Sequence, residues 1–202
     1  MGKRERAKNR CPVCLMSAPL CLCAERPTLA TTTAVILVMH HREVKMPTNT
    51  GRLAHQCLSN SALVLRGLEG APAHIDLAGA VGTPLLLHPT DDAVALDEGF
   101  AARVAPPYTL IVPDGSWRQA SKMGQREEAL RHVQRVRLAA GAPSRYRLRR
   151  ETKPEGLATL EAIARALGVL ESPAVEDALL AVFDLMVERT LRSRGMHLVE
   201  AR

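Results

Sequence analysis

Four of the five cysteines fall within thirteen residues, as Cys11-Pro-Val-Cys14 and Cys21-Leu-Cys23. Thiols at this density in a cytoplasmic chain read as a metal site rather than as disulfides. Zinc takes four ligands in a tetrahedron, and a CxxC turn offers two thiolates from one knuckle. The CxC pair is tighter than usual, but alternate residues of an extended stretch can be twisted toward a common ion. With Cys11, Cys14, Cys21 and Cys23 filling all four positions, none is left for water. The expected ion is therefore a structural zinc that holds a segment too short to have a core of its own. Redox chemistry is the competing reading of CxxC, although no thioredoxin-like βαβ pattern surrounds it. Cys57, the remaining cysteine, reads as a small buried hydrophobe.

Three further segments carry chemistry-capable side chains. In Pro113-Asp114-Gly115-Ser116-Trp117, Gly115 allows a sharp turn and Ser116 is placed to cap a following helix. Asp114 then points into a crevice beside Trp117, the single tryptophan, although an Asx turn and a core anchor would use the same residues. His40-His41-Arg42-Glu43 ends an apolar run. Adjacent strand residues face opposite ways, so the two histidines are expected to be poor co-ligands. Asn49-Thr50-Gly51 opens a helical pattern, where backbone N–H groups suit an anion as well as a plain cap. Arg145, Arg147, Arg149, Arg150 and Lys153 place five positive charges in nine residues beside Tyr146. If the stretch is extended, Arg145, Arg147 and Arg149 share a face that fits RNA phosphates; a solvated face is the alternative.

The elements that must position these groups alternate. Strand patterns cover Thr31–Met39, Ala62–Leu65, Pro84–Leu87, Tyr108–Val112 and Val133–Leu138. Helical patterns cover Gly51–Ser59, Ser116–Leu130 and Leu157–Leu167. A last helix follows Ser172-Pro173 and ends at Gly195, with Val175, Leu179, Val182, Phe183, Met186, Val187 and Leu191 on one face. Asp91–Pro107 reads as a surface excursion. Alternation of this kind predicts an α/β domain with a mostly parallel sheet, whose ligands lie beyond the C-terminal strand ends.

Composition bounds the partners. The 202 residues carry 27 basic and 21 acidic side chains, a net +6, which favours a polyanion. Only five residues are aromatic: Phe100, Tyr108, Trp117, Tyr146 and Phe183. RNA binding through a broad platform of stacked bases is thereby excluded. No apolar run is long enough to span a bilayer, and the charged N-terminus is not followed by an apolar signal region, so residence in the cytoplasm without a membrane is expected.

Taken in order, the cysteine pairs, HHRE, NTG, DGSW, YRLRR and Thr159-Leu-Glu161-Ala resemble the DTW-domain family, the tRNA-uridine aminocarboxypropyltransferases. The likeness spans nearly the whole chain. Ser116 stands where the family usually has Thr, keeping a hydroxyl. His41 stands where it often has Pro. Ala158 stands where it usually has Ser, so that hydroxyl is missing. The resemblance implies a SPOUT-like α/β fold, often knotted, with residues 1–28 as a zinc knuckle and 29–202 as the catalytic domain. It implies S-adenosylmethionine as donor and transfer of its 3-amino-3-carboxypropyl group to N3 of a uridine in tRNA, with release of methylthioadenosine. It places Asp114, Ser116 and Trp117 at the reaction centre. His40, Glu43, Asn49, Thr50, Gly51, Trp117, Thr159 and Glu161 are placed around the donor, and the arginines with Lys153 on tRNA. Asp114 would either take the N3 proton, its weak basicity raised by burial beside Trp117, or hold the donor's ammonium. Rival readings are a SPOUT-type RNA methyltransferase and a non-catalytic zinc-knuckle RNA-binding protein.

Overall fold

In the computed structural model, which describes residues 9–70, 73–77, 79–148 and 156–195, β-branched and leucine-rich runs form six strands. These are β1 (Ala34–His40), β2 (Ser61–Arg66), β3 (Thr83–Leu87), β4 (Val94–Leu96), β5 (Tyr108–Asp114) and β6 (Gln134–Leu138). They pair in the order β2-β1-β5-β3-β6-β4, and every pairing is parallel. Five α-helices accompany them among the described residues: α1 (Thr50–Cys57), α2 (Glu98–Arg103), α3 (Trp117–Arg126), α4 (Thr159–Leu170) and α5 (Pro173–Ser193). The expected α/β class with a parallel sheet is what the chain adopts.

Both faces of the sheet are covered, which explains strands that are apolar throughout. Val35, Leu37 and Met39 of β1, Leu85 and Leu87 of β3, and Leu110 and Val112 of β5 join one core. Helices α1, α4 and α5 supply its other half through Leu53, Ile163, Leu167, Leu179, Phe183 and Met186. The alternate residues Val38, Leu86 and Ile111 turn to the opposite face and meet Met123 of α3, Leu130 and Val133. This is the period of two expected of strands. All seven residues of β5 are buried, so the element that ends in Asp114 is the most constrained in the sheet.

Two expectations need correction. The stretch Asp91–Pro107 is no mere surface excursion: it contains β4 and α2. Asp97 caps α2 by accepting from the Phe100 N–H at 2.8 Å, and Phe100 is buried in the main core. A three-residue strand and a six-residue helix are too short to show a period. Ser172 occupies the N-cap position of α5 but makes no side-chain capping bond. The entry rests instead on Pro173 in the first turn, whose fixed φ suits it. The other end is as expected, with Gly195 at φ +70° just beyond the helix.

Candidate active site

Parallel register brings the C-terminal ends of β1 and β5 side by side, with Met39 paired to Asp114. From β1 the chain leaves for β2 on one side and later for β3 on the other. That reversal opens a crevice at the carboxyl ends of the strands. Asp114 lies in it, 3% exposed. Its Oδ2 accepts from Asn49 Nδ2 at 2.7 Å and its Oδ1 from Thr159 Oγ1 at 2.6 Å. Charge-assisted bonds of this length fix a carboxylate firmly.

The two donors come from the starts of two helices. Asn49 is the N-cap of α1: its Oδ1 accepts from the Arg52 N–H at 2.7 Å, which leaves its amide to face Asp114 and, at 3.3 Å, Glu43. Arg52 braces the loop before it by donating to the carbonyls of Val44 and Met46, both at 2.7 Å. Thr159 is the first residue of α4, and the next N–H, that of Leu160, donates to Thr50 Oγ1 at 3.3 Å. Gly51 makes the close approach of α1 to Asp114 possible, since a Cβ there would lie 2.8 Å from Asp114 Cγ.

These groups line a polar hollow of about 70 Å³ bounded by Glu43, Thr48, Asn49, Thr50, Asp114, Gly115, Tyr146, Leu157, Ala158 and Thr159. The hollow takes a small polar end group, since whole drug-sized ligands need several hundred Å³. Ser116 and Trp117 sit on the adjoining turn, outside this wall. Ser116 is exposed at the N-cap of α3 in a capping box with Gln119, whose Oε1 accepts from the Ser116 N–H at 2.8 Å and from its hydroxyl at 2.9 Å. Trp117 is half-buried, and the other four aromatic residues are buried.

His40 and His41 do not diverge as expected. A 3-10 turn over His41–Glu43 ends the strand's alternation, and the rings lie 4.6 Å apart, centroid to centroid. Burial, followed by the charges of His41, Arg42 and Arg66, lowers the His40 pKa. Even so, the only residues grouped well enough for a metal among those described are the four cysteines.

Glu161 is 1% exposed and is not among the residues that line the hollow. It accepts from the Arg145 N–H at 2.8 Å, the Ala158 N–H at 2.9 Å and the Ser144 hydroxyl at 2.5 Å. Half of a capping box is present on α4; the reciprocal bond is impossible because Ala158 has no side-chain acceptor. Arg145 and Arg147 are exposed, and Arg145 pairs with Asp184 at 2.8 Å. Arg149, Arg150 and Lys153 lie outside the described residues. Sequence reasoning missed Tyr146 as a wall of the hollow and Ser144 as a partner of Glu161, since neither belongs to a periodic pattern.

The cysteine sulfurs all lie within 4.8 Å of one another, with Cys11 to Cys23 at 3.6 Å and Cys14 to Cys21 at 3.7 Å. A zinc tetrahedron with bonds of 2.3 Å has sulfur–sulfur edges of about 3.8 Å, so the donor set and its spacing fit such an ion. Leu15 adopts φ +59° to close the first knuckle. The N–H groups of Cys14 and Val13 draw the Cys11 thiol down to about 6, while burial pushes Cys14 up and Cys23 up to about 12. A cation would displace those protons.

A parallel sheet whose carboxyl edge gathers a pinned carboxylate, an amide and two threonine hydroxyls around a polar hollow makes this an α/β protein with a candidate site for a small ligand. The DTW domain model matches residues 8–191, and the chain belongs to the DTW domain family. It is 31% identical over 172 residues to tRNA-uridine aminocarboxypropyltransferase 2 of Drosophila melanogaster, covering 82% of this chain and 68% of that one. The Macaca fascicularis protein of the same name is 30% identical, over 83% of this chain and 59% of that one. The tRNA-uridine aminocarboxypropyltransferase A of Arabidopsis thaliana is 28% identical, over 88% and 79%. Among solved structures, the SAM-dependent rRNA:acp-transferase Tsr3 from Vulcanisaeta distributa aligns with a TM-score of 0.47 at 17% identity, over 80% of this chain and 79% of that one.

Proposed function

We propose that this chain transfers the 3-amino-3-carboxypropyl group of S-adenosylmethionine to N3 of a uridine in tRNA. In that reaction a bond forms between N3 and the carbon that leaves sulfur. The carbon–sulfur electron pair stays on sulfur, so methylthioadenosine departs as a neutral thioether, and the N3 proton is lost. The sulfonium activates three carbons, and geometry selects among them. One observation carries the reading: Asp114, immobilised by Asn49 and Thr159 at the edge of the sheet, faces a hollow sized for the end of the donor's amino-acid arm. With both oxygens already engaged, Asp114 suits holding the cationic arm better than shuttling a proton.

On this reading Glu43, Asn49, Thr50 and Thr159 shape the donor's polar end, with Gly51 behind Asp114. His40, Ser116 and Trp117 border the entrance, where Trp117 offers an apolar surface. Arg145 and Arg147 meet tRNA phosphates. The four cysteines hold a structural zinc in an N-terminal knuckle. Among the described residues no helix is long and apolar enough to cross a membrane, which is compatible with a tRNA substrate in the cytoplasm.

Nucleoside analysis of tRNA from a deletion strain tests the assignment. Loss of one aminocarboxypropyl-uridine is expected, restored by the wild-type chain and not by Asp114→Ala. A lost methyl mark instead would support a methyltransferase. Full rescue by Asp114→Ala would remove Asp114 from the reaction, and an unchanged nucleoside profile in the deletion strain would leave only an RNA-binding role.

A further inference from the structure

Residues 144–148 run along the rim of the hollow with alternating burial: Arg145 is exposed, Tyr146 buried, Arg147 exposed and Leu148 buried. The inner side chains belong to the core. Tyr146 packs on Phe183 with ring centroids 5.9 Å apart, and its hydroxyl donates to the Thr48 carbonyl at 2.7 Å. Tyr146 and Thr48 both wall the hollow. The outer side chains are cationic. One short strap therefore has the donor's site on one side and a surface for polyanions on the other. Tyr146 faces inward, and Arg145 and Arg147 outward, only while the strap keeps its place.

The register is set at the strap's start. Glu161 binds the Ser144 hydroxyl and the Arg145 N–H while also capping α4 through the Ala158 N–H. Ser144 Oγ in turn accepts from the Tyr146 N–H at 3.1 Å. The α4 turn held by this carboxylate carries Thr159, which fixes Asp114. Resting on the functional reading above, we propose that Ser144 and Glu161 are positioning residues. Their clasp holds the strap in the one register that completes the donor site with Tyr146 and presents Arg145 and Arg147 to tRNA.

The test measures S-adenosylmethionine binding by calorimetry and tRNA binding by gel shift, each ligand alone, on the full chain. Ser144→Ala is expected to weaken both about tenfold while the chain stays folded, and Ser144→Thr, which keeps the hydroxyl, to restore both. Arg145→Ala with Arg147→Ala is expected to weaken tRNA alone. Glu161→Gln, which keeps one acceptor and sets an amide against three donors, is expected to repeat the double loss. Should it fail to fold, Ser144→Ala decides. The clasp is overturned if Ser144→Ala changes only one affinity or neither, or if Ser144→Thr leaves both weak. Wild-type protein that binds neither ligand would overturn the functional reading itself.

Discussion

A methyl group built on Gly51 would lie 2.8 Å from Asp114 Cγ and 2.9 and 3.0 Å from its two oxygens. The carboxylate cannot swing aside cheaply, because Asn49 and Thr159 grip one oxygen each. Alanine is otherwise favoured over glycine inside a helix by about 1 kcal/mol, so helix propensity and site geometry pull in opposite directions. Gly51→Ala is expected to cost the enzyme about 100-fold in methylthioadenosine release, the scale of a reacting group misplaced by about 1 Å, and to lower the melting temperature, since overpacking costs about 1–3 kcal/mol and helix propensity offsets only part of it. Gly124 is the comparison. Its Cβ would meet Leu86 at an ordinary 3.5 Å, so Gly124→Ala is expected to raise stability by about 0.5–1 kcal/mol and keep activity. If both variants behave alike, Asp114 is not held where the reaction needs it.

Helix α1 carries the site at its start and a titrating group at its end. Burial lowers the pKa of His55, whose Nδ1 lies 2.8 Å from Ser61 Oγ. The native state therefore favours the neutral ring. Its contribution to stability is complete above the unfolded value near 6.5 and is lost as the pH falls through the lowered native value. His55→Gln is expected to flatten the acid limb of stability, by at most about 1.4 kcal/mol per pH unit for one proton. Urea melts at a series of pH values below 6.5 would show it; parallel limbs for the two proteins would refute it. His40 shifts in the same direction, so only the difference between the proteins isolates His55. Elements of this length were legible because their patterns repeat: β1, β5, α4 and α5 lie within a few residues of expectation. β4 and α2 were not, being shorter than a usable period. The site was legible only as separate pieces. Asp114 meets Asn49 across 65 positions and Thr159 across 45, and no local pattern reports such meetings. Resemblance to a family grouped the pieces, while Glu161's contacts with Ser144 and Arg145 belong to no local pattern.

Across the whole molecule, the cysteine segment is built into the main core. Cys14, Met16 and Leu22 are buried in the same cluster as Leu179, Phe183 and Met186 of α5. Arg189 of α5 binds the Cys21 carbonyl and Glu25, Thr190 Oγ1 reaches Met16 Sδ at 3.8 Å, and Gln56 of α1 donates to the Val13 carbonyl at 2.8 Å. The knuckle therefore braces both α1, which orients Asn49, and α5, which backs Tyr146. Metal binding to a segment like this contributes to folding free energy, and here the loss should not stay local. Metal analysis of the purified chain is expected to find one zinc per molecule. Chelation, or Cys14→Ser, should then lower a single melting transition for the entire chain and weaken donor binding with it. An independent appendage would behave differently: a second transition would appear, or the main one would stay where it was with donor affinity intact. Because Cys14 is one of the core residues, loss of an ion held there would remove an anchor for α5 as well as for the knuckle, and a single shifted transition is the outcome this packing predicts.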